Sequence, residues 1–327
     1  MLDILQVTFP FFALVLCGYL AARRRLLPLE AIAGLNSFVL YLALPCMLYR
    51  FGSTTPIAQL LDGAALVVYL VCALQMVAFA VATTMNRRIG WNDAAFGALV
   101  ASFPNTGFMG VPLLVALLGA QAAGPAIVTI LVDLIVTSSL CIALSRLDGA
   151  GTHGAAQAAR NALRGVLVNP MPWAIVAGAI ASWQGLELPK PMMQTVGLLA
   201  DAASPVALFT IGAVLARSAL LKARDDAGSR IPAPPMPLRD YLPPVVFKLV
   251  LHPLLVLLTG VGAMQIGLPL DRFALTVMVL VAALPSASNV ALLSERFGAD
   301  TGRIARIILL STAAAFLSFS GAVALMT

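Results

Sequence analysis

The sequence Ser102-Phe103-Pro104-Asn105-Thr106-Gly107-Phe108-Met109-Gly110-Val111-Pro112 lies in the middle of an apolar segment that runs from Ala94 to Leu118. Because Pro104 lacks a backbone donor and the glycines relax the chain, this pattern predicts a helix that is broken at membrane depth. Unpaired backbone groups are tolerated in hydrocarbon only where protein or a water-filled cavity covers them. We therefore expect a cavity at this break.

A second stretch of the same kind is Ala283-Leu284-Pro285-Ser286-Ala287-Ser288-Asn289, which is central in an apolar segment from Phe273 to Phe297. Two interrupted helices at corresponding places in two halves of a membrane protein indicate the binding site of a transporter. The chain is therefore expected to carry one such site.

The composition is that of a polytopic membrane protein. Hydrophobic residues make up 61% of the 327 residues, charged residues only 10%, and the mean hydropathy is +0.97. The net charge of +6 lies mainly in short loops between apolar segments, where membrane topology explains it, so we expect no nucleic acid partner. The sequence has no Walker motif, zinc-ligand spacing or nucleophile elbow, and we therefore expect no cofactor, no metal and no enzymatic activity.

Ten membrane spans are predicted, each near the roughly 20 residues that a helix needs to cross the hydrocarbon. They cover about residues 4–22, 31–49, 64–84, 94–118, 122–145, 166–183, 192–216, 245–266, 273–297 and 304–326. Most basic residues fall in alternate loops, whereas the opposite loops hold only Arg50, Lys190 and Arg272. The positive-inside rule then places both termini outside the cytoplasm of an inner-membrane protein.

The order of the prolines indicates two inverted five-helix repeats. Pro45 in the second span corresponds to Pro205 in the seventh, and Pro104 in the fourth corresponds to Pro285 in the ninth. The predicted organisation is a first repeat over residues 1–146, a cytoplasmic linker over 147–165, and a second repeat over 166–327. The cytoplasmic loop 218–244 contains a proline-rich run over 231–237 and is expected to be extended and mostly disordered.

Polar residues beside the two breaks are candidates for binding a substrate. The second half of each broken helix begins near Thr106 or Asn289, and such helix N-termini attract carboxylates and other anions. Asn105, Ser286 and Ser288 lie at the same depth in the sequence pattern. The alternative is that these side chains merely cap the broken helix ends, as Asn and Ser commonly do.

Two acidic residues lie inside predicted spans and are candidate proton or coupling-ion sites. Asp133 is central in the fifth span, where an isolated charge costs about 2.5–3.5 kcal/mol, and the alternative for it is a structural hydrogen bond to a neighbouring helix. Asp201 lies four residues before Pro205 and is expected to be buried. Lys248 and His252 are one helical turn apart; a lysine so placed is expected to extend to the lipid headgroups.

The residues from Phe103 to Leu114 resemble a motif of the auxin efflux carrier family, Leu-Pro-Asn-Thr-x-x-Met-Gly-x-Pro-Leu-Leu, nearly position by position. This family includes plant auxin exporters and many bacterial permeases. The second span, with Asn36-Ser37-Phe38-Val39 and Ala43-Leu44-Pro45, and the ninth span, with Ala282-Ala283-Leu284-Pro285, resemble the family's patterns as well. The resemblance covers the whole chain.

The resemblance implies an all-α membrane fold similar to that of sodium–bile acid symporters, with a scaffold, a mobile transport subdomain and crossed, broken helices four and nine. It also implies a homodimer joined through the scaffolds, and a small organic anion as substrate, such as malonate or another carboxylate. The candidate substrate-binding residues are then Pro104, Asn105, Thr106, Gly107, Asp133, Pro285, Ser286, Ser288 and Asn289. The acid at Asp133 and the residue Val290 depart from the plant pattern.

Two other functions remain open from the sequence. One is a sodium-coupled organic-anion symporter of the bile-acid type. The other is a membrane sensor that uses the same pocket without transport, for which the proline-rich loop is the supporting feature.

Overall fold

The computed structural model of the protein describes residues 2–56, 60, 62–146, 160, 164, 167–228 and 236–327, and the regular structure in these ranges is helical. The helices are α1 (Leu2–Arg23), α2 (Ala31–Thr54), α3 (Gly63–Thr84), α4a (Trp91–Ser102), α4b (Thr106–Leu118), α5 (Ala120–Leu144), α6 (Pro170–Gln184), α7 (Lys190–Gly228), α8 (Leu238–Gln265), α9a (Arg272–Ala283), α9b (Asn289–Phe297) and α10 (Thr301–Met326).

Seven of the helices within the described ranges are long and apolar enough to cross a membrane on their own. The shorter ones are α6, with 15 residues, and the two halves of each broken helix. The protein is therefore an integral membrane protein of the all-α class, as predicted. The breaks also lie where the prolines predicted them, between Ser102 and Thr106 and between Ala283 and Asn289.

Several helix ends follow directly from local sequence. Asp62, Asn169, Asp271 and Asp300 each accept a backbone N–H from the first turn of the following helix, at 2.9–3.1 Å. These bonds satisfy donors that have no partner within a helix. α6 ends at Gly185, whose φ of 62° is a left-handed conformation that glycine adopts without strain.

The prediction for the loop 218–244 is wrong in its described part. α7 continues to Gly228 and α8 begins at Leu238, so only the middle of the loop lies outside the described residues. The extension of α7 follows from the run Ala219-Leu220-Leu221-Lys222-Ala223-Arg224, which consists of strong helix formers, whereas the first proline comes at Pro232. The proline-rich run falls mostly outside the described residues, as does the linker predicted over 147–165.

Among the described residues, four helices contain a turn of π-helix. In α2, α4b and α8 such a turn ends two residues before a proline, namely Pro45, Pro112 and Pro253. The wider turn accommodates a residue that has no N–H and whose ring would clash with the carbonyl of the preceding turn. The fourth π turn, Asp133–Thr137 in α5, has no proline after it; there the Ser138 hydroxyl donates to the Asp133 carbonyl at 2.8 Å.

The helices pack in two groups. In the first group α1 packs mainly against α7, and α6 against α2, and α2 also contacts α7. Glycines allow these close approaches: a Cβ on Gly18 would lie 1.9 Å from the Phe209 carbonyl oxygen, and one on Gly212 would lie 1.8 Å from the Val15 carbonyl oxygen. Backbones that meet through small residues are typical of helix association in membranes.

The second group consists of α3, α4, α5, α8, α9 and α10, which share most of their contacts with one another. Arg303 connects three helices of this second group through hydrogen bonds at one end of the group. The Arg303 guanidinium is buried and donates to the carbonyls of Asp240 at 2.6 Å and Asp93 at 2.7 Å, so it joins the first turns of α10, α8 and α4a. A Cβ on Gly97 would lie 2.8 Å from this guanidinium, and glycine therefore makes room for it.

Candidate functional site

The two helix breaks meet and form hydrogen bonds with each other. The Asn105 N–H donates to the Pro285 carbonyl at 2.8 Å, and the Ala287 N–H donates to the Phe103 carbonyl at 3.0 Å. Pro104 thereby lies opposite Ser286 in a single antiparallel bridge. Because each break supplies the donor and acceptor that the other lacks, extended backbone is stable here inside the protein. We call residues 103–106 and 284–289 together the crossover.

The crossover is tightly packed on one side and open on the other. A Cβ on Gly110 would lie 2.5 Å from Cδ1 of Leu284, so the first turn of α4b lies directly on the second break. A Cβ on Gly107, by contrast, would meet no atom within 4 Å. The structure thus places seven of the nine predicted substrate-binding residues in the crossover; Gly107 directly follows it in α4b, and Asp133 lies in α5.

The side chains at the crossover do not cap the broken helices. Asn105 precedes α4b and Ser288 precedes α9b, yet neither side chain accepts a hydrogen bond from the helix that it precedes. The alternative interpretation, that these residues merely cap the helix ends, is therefore wrong for both. Instead, it is the backbone carbonyl of Asn105 that accepts two hydrogen bonds, from Met109 at 3.1 Å and Gly110 at 3.0 Å.

Three polar side-chain atoms at the crossover are buried and have no hydrogen-bond partner among the described residues. They are Oγ1 of Thr106, Oγ of Ser286 and Oδ1 of Asn289. A buried polar atom without a partner costs about 1–3 kcal/mol, and most such atoms in proteins are paired with protein or water. Three of them in one place, beside two helix N-termini, indicate that a polar ligand or water occupies the site.

A cavity of about 680 Å³ leads to the crossover from between the two helix groups. Its lining includes Phe103 and Asn289 at the crossover, Ser138 on α5, and Tyr41 and Met171 on α2 and α6. This volume lies within the range of about 300–1,000 Å³ that is typical of ligand pockets. The cavity predicted from the first break is therefore present. Ser288 lines a separate space of about 10 Å³ beside Asn36 and Thr210, which is room for one water molecule.

Asp133 is fully buried and belongs to a hydrogen-bonded network between α3 and α5. The Tyr69 hydroxyl donates to Oδ2 of Asp133 at 3.0 Å, and the Thr137 hydroxyl donates to Oδ1 at 3.0 Å. The π turn that begins at Asp133 brings Thr137 next to the carboxylate. Both carboxylate oxygens thus have hydroxyl donors, which is the structural hydrogen bonding that the sequence left open as an alternative.

Lys248 is also fully buried, so the expectation that it extends to the lipid headgroups is wrong. Its ammonium group donates to the Ala282 carbonyl at 2.8 Å and lies 3.0 Å from Nδ1 of His252. Ala282 lies at the C-terminal end of α9a, where the break frees carbonyl groups and the helix dipole is negative, and this end attracts a cation. Lys248 is also close enough to Asp133 for a charge–charge interaction, although the two groups are not within 4.0 Å, and it thus lies between the acid and the end of α9a that precedes the crossover.

Comparison with known proteins identifies the family of this chain. A family model described as "Membrane transport protein" matches residues 3–323. The chain belongs to this family, that of the auxin efflux carriers.

Two relatives of this membrane transport family align with nearly the whole chain. The chain is 30% identical over 326 residues to a protein named "Putative malonate transporter" from Rhizobium meliloti (strain 1021), which covers 98% of this chain and 95% of the relative. It is 27% identical over 299 residues to "Uncharacterized transporter YfdV" from Escherichia coli (strain K12), which covers 89% of this chain and 88% of that one. The family and these relatives are transporters and not enzymes.

Asp201, a candidate coupling residue, lies outside the crossover at the surface of this family member. Asp201 is not buried: its side chain is 70% exposed, and it pairs with Arg50 at 2.7 Å. The expectation of burial failed because α7 turns this residue toward α2, whose Arg50 is 151 positions away in the sequence.

The sequence also left Lys248 and His252 outside the site. Residues four positions apart lie on the same face of a helix, so Lys248 and His252 were predictable neighbours. Because Asp133 is an acid at membrane depth that needs a partner, the sequence could have suggested Lys248 as that partner.

Proposed function

We propose that this protein is a secondary active carrier of small organic anions, in particular mono- or dicarboxylates such as malonate. The main support for this proposal is the crossover, where buried polar atoms without a hydrogen-bond partner and two helix N-termini lie at the end of a cavity. First-turn amides and the positive end of a helix dipole favour a carboxylate without any metal. Malonate is the first candidate because a relative that covers nearly the whole chain bears that name.

We propose that the substrate is held by Asn105, Thr106 and Gly107 of the first break and by Ser286 and Asn289 of the second. Asn105 is 3% exposed and its side chain does not cap α4b, so its amide is available to a ligand. Gly107 faces open space, which leaves its backbone accessible to a carboxylate. Pro104 and Pro285 create the breaks, and Ser288 would position the start of α9b.

We propose that transport follows an elevator-type alternating access, in which the second helix group moves against the first. The observation in favour is that the cavity lies between the groups, with α2 and α6 on one side and α5 and α9b on the other. The full architecture would be ten spans in two inverted repeats, residues 1–146 and 166–327, in an inner membrane with both termini outside. The first group, α1, α2, α6 and α7, would be the scaffold through which two copies form a homodimer.

We propose that transport is linked to protons through Asp133. Its carboxyl group lies between two hydroxyl donors and interacts with the Lys248 ammonium, which would offset the negative charge after a proton leaves. A cation that is already present beside the acid also makes a bound sodium ion less favourable there, because like charges repel. Asp201, exposed and paired with Arg50, is the second candidate for coupling.

The test is the flux of radiolabelled malonate into proteoliposomes under an imposed pH gradient or an imposed sodium gradient. Saturable uptake that changes with the pH gradient, and is reduced in Asp133→Asn but not in Asp201→Asn, is the expected result. Uptake that depends on sodium would support the bile-acid type of symporter instead. Binding of malonate without flux would support the sensor.

A further inference from the structure

The cavity ends, away from the crossover, in a group of arginines. Arg146 at the end of α5, Arg164, and Arg296 near the end of α9b all line it, together with polar Ser139 and Asn169. Arginines at the cytoplasmic ends of spans ordinarily need no explanation beyond membrane topology. What distinguishes these three is that they line one cavity that also reaches the crossover.

Two of these arginines share one aromatic ring. The guanidinium carbon of Arg146 lies 5.1 Å from the ring centroid of Phe297, and that of Arg296 lies 5.9 Å from the same centroid. The two guanidinium carbons are therefore at most about 11 Å apart. Stacking on an aromatic face holds a guanidinium in place and leaves its N–H edge free for a carboxylate.

Neither of these two positive charges has an ion-pair partner among the residues that the structure describes. Among the acidic residues that the structure describes, none has a carboxylate oxygen within 4.0 Å of the Arg146 or Arg296 guanidinium. The ion pairs in the described part of the chain join other residues, namely Arg50 with Asp201 and Arg239 with Asp240. Like charges that are brought together without a counter-ion repel one another, and an anion that binds between them relieves this repulsion. The arrangement therefore favours an anionic ligand, and a doubly charged one more than a singly charged one.

The arginines are a place separate from the crossover. Arg296 lies seven residues beyond Asn289 on α9b, which corresponds to about 10 Å along the helix axis. The two carboxylate carbons of malonate are only about 2.5 Å apart, as the geometry of three consecutive carbon atoms requires. One such anion cannot rest at both places, so it would occupy them in succession.

We infer that Arg146, Arg164 and Arg296 form a second anion-binding site, which takes carboxylate dianions from the cytoplasm before they reach the crossover. We call it the arginine site. The inference rests on the proposed carrier function and adds to it a preference for dicarboxylates. The guanidinium groups of the arginine site each present paired N–H donors, which match the two oxygens of a carboxylate. The same cavity is also lined by Asn289, so an anion bound at the arginine site has a direct route to the crossover.

The test uses inside-out membrane vesicles, in which external substrate meets the cytoplasmic face. We compare Arg146→Gln and Arg296→Gln with Arg88→Gln; all three arginines are exposed and are expected on the same face, but Arg88 does not line the cavity. Each cavity variant should raise the KM for malonate roughly three- to tenfold, which corresponds to the loss of one hydrogen bond of ordinary strength at a solvent-exposed position, while the maximal rate stays within about twofold. Arg88→Gln should change the KM by less than about twofold, because Arg88 does not line the cavity and salt screens its exposed charge.

The preference for dianions is measured by comparing malonate with a monocarboxylate, propionate, as a competing inhibitor. In the same vesicles, the inhibition constant of propionate should rise only by about the square root of the factor found for malonate, since its charge is half as large. In right-side-out vesicles the KM for malonate should be the same in all four proteins. Equal KM values for the cavity variants and Arg88→Gln would overturn the arginine site and leave the carrier function standing. Wild-type vesicles with no carboxylate flux on either face would instead overturn the carrier function, and the arginine site with it.

Discussion

Replacing Lys248 by methionine tests the link between Asp133 and the crossover. The substitution keeps the length of the side chain but removes the ammonium, so the Ala282 carbonyl loses its donor and the Asp133 carboxylate loses its nearest positive charge. An unpaired buried carbonyl costs about 1–3 kcal/mol, and losing the attraction between the ammonium and the carboxylate adds about 1–3 kcal/mol. Lys248→Met should therefore lower the free energy of unfolding by several kcal/mol.

A double-mutant cycle with Asp133→Asn isolates the electrostatic part. The ammonium and the carboxylate are not within 4.0 Å of each other, since no such ion pair is found between these two described residues. At that limit and an effective dielectric constant near 20, two unit charges attract by about 4 kcal/mol, which is an upper bound here. We expect a coupling free energy of about 1–3 kcal/mol, so the double variant should be more stable than the sum of the single effects predicts.

The assay is unfolding of the purified protein in mixed detergent micelles, followed by circular dichroism. The matched control pairs Lys248→Met with Asp201→Asn; Asp201 has its own partner in Arg50, and these two effects should add within about 0.5 kcal/mol. Additive effects of Lys248→Met and Asp133→Asn would show that the two groups do not act on each other, and the proposed role of Lys248 in the network would be refuted.

Further predictions concern glycines at close contacts. Gly110→Ala should lower the free energy of unfolding by about 1–3 kcal/mol, because the added methyl group meets Leu284, whereas Gly107→Ala faces open space and should cost nothing or stabilise the helix by up to about 1 kcal/mol; thermal unfolding of the two variants compares them directly. Gly212→Ala should disrupt the packing of α7 on α1 and reduce the yield of folded protein measured by size-exclusion chromatography. Gly197→Ala, on the same helix, should match wild type because a Cβ there would meet no atom within 4 Å. Equal behaviour within either pair would contradict the packing described.

The breaks could be predicted from sequence because their cause is local. Pro104 and Pro285 remove backbone donors wherever they occur in a helix, and the polar residues beside them follow in the chain. The pairing of the breaks was expected only from the family resemblance, since hydrogen bonds between residues about 180 positions apart are not encoded in any local pattern. The structure supplied the bridge between Pro104 and Ser286.

The burial of charged groups was harder to predict. Lys248 was expected at the lipid surface because its position near the start of an apolar segment suits that arrangement, but the partner that holds it inside, the Ala282 carbonyl, belongs to another helix. For Asp201 the error was the opposite one: it was expected to be buried but is exposed, and it pairs with Arg50 from a distant part of the chain. In both cases the deciding contact is tertiary, whereas the sequence pattern reports only distance from the end of a span.

The central claim is that the crossover binds the transported anion, and the uptake of malonate by proteoliposomes that contain Asn105→Ala tests it most directly. The Asn105 side chain does not cap its helix, so its removal should change the free energy of unfolding by less than about 1 kcal/mol. The control is Asn86→Ala, an exposed residue between α3 and α4a that lies outside the crossover and whose side chain forms hydrogen bonds only within its own turn. We predict saturable malonate uptake in wild type and Asn86→Ala, and at least tenfold slower uptake in stably folded Asn105→Ala, as expected when a polar group that contacts the substrate is lost. Equal uptake by all three proteins would contradict the assignment of the crossover as the substrate site.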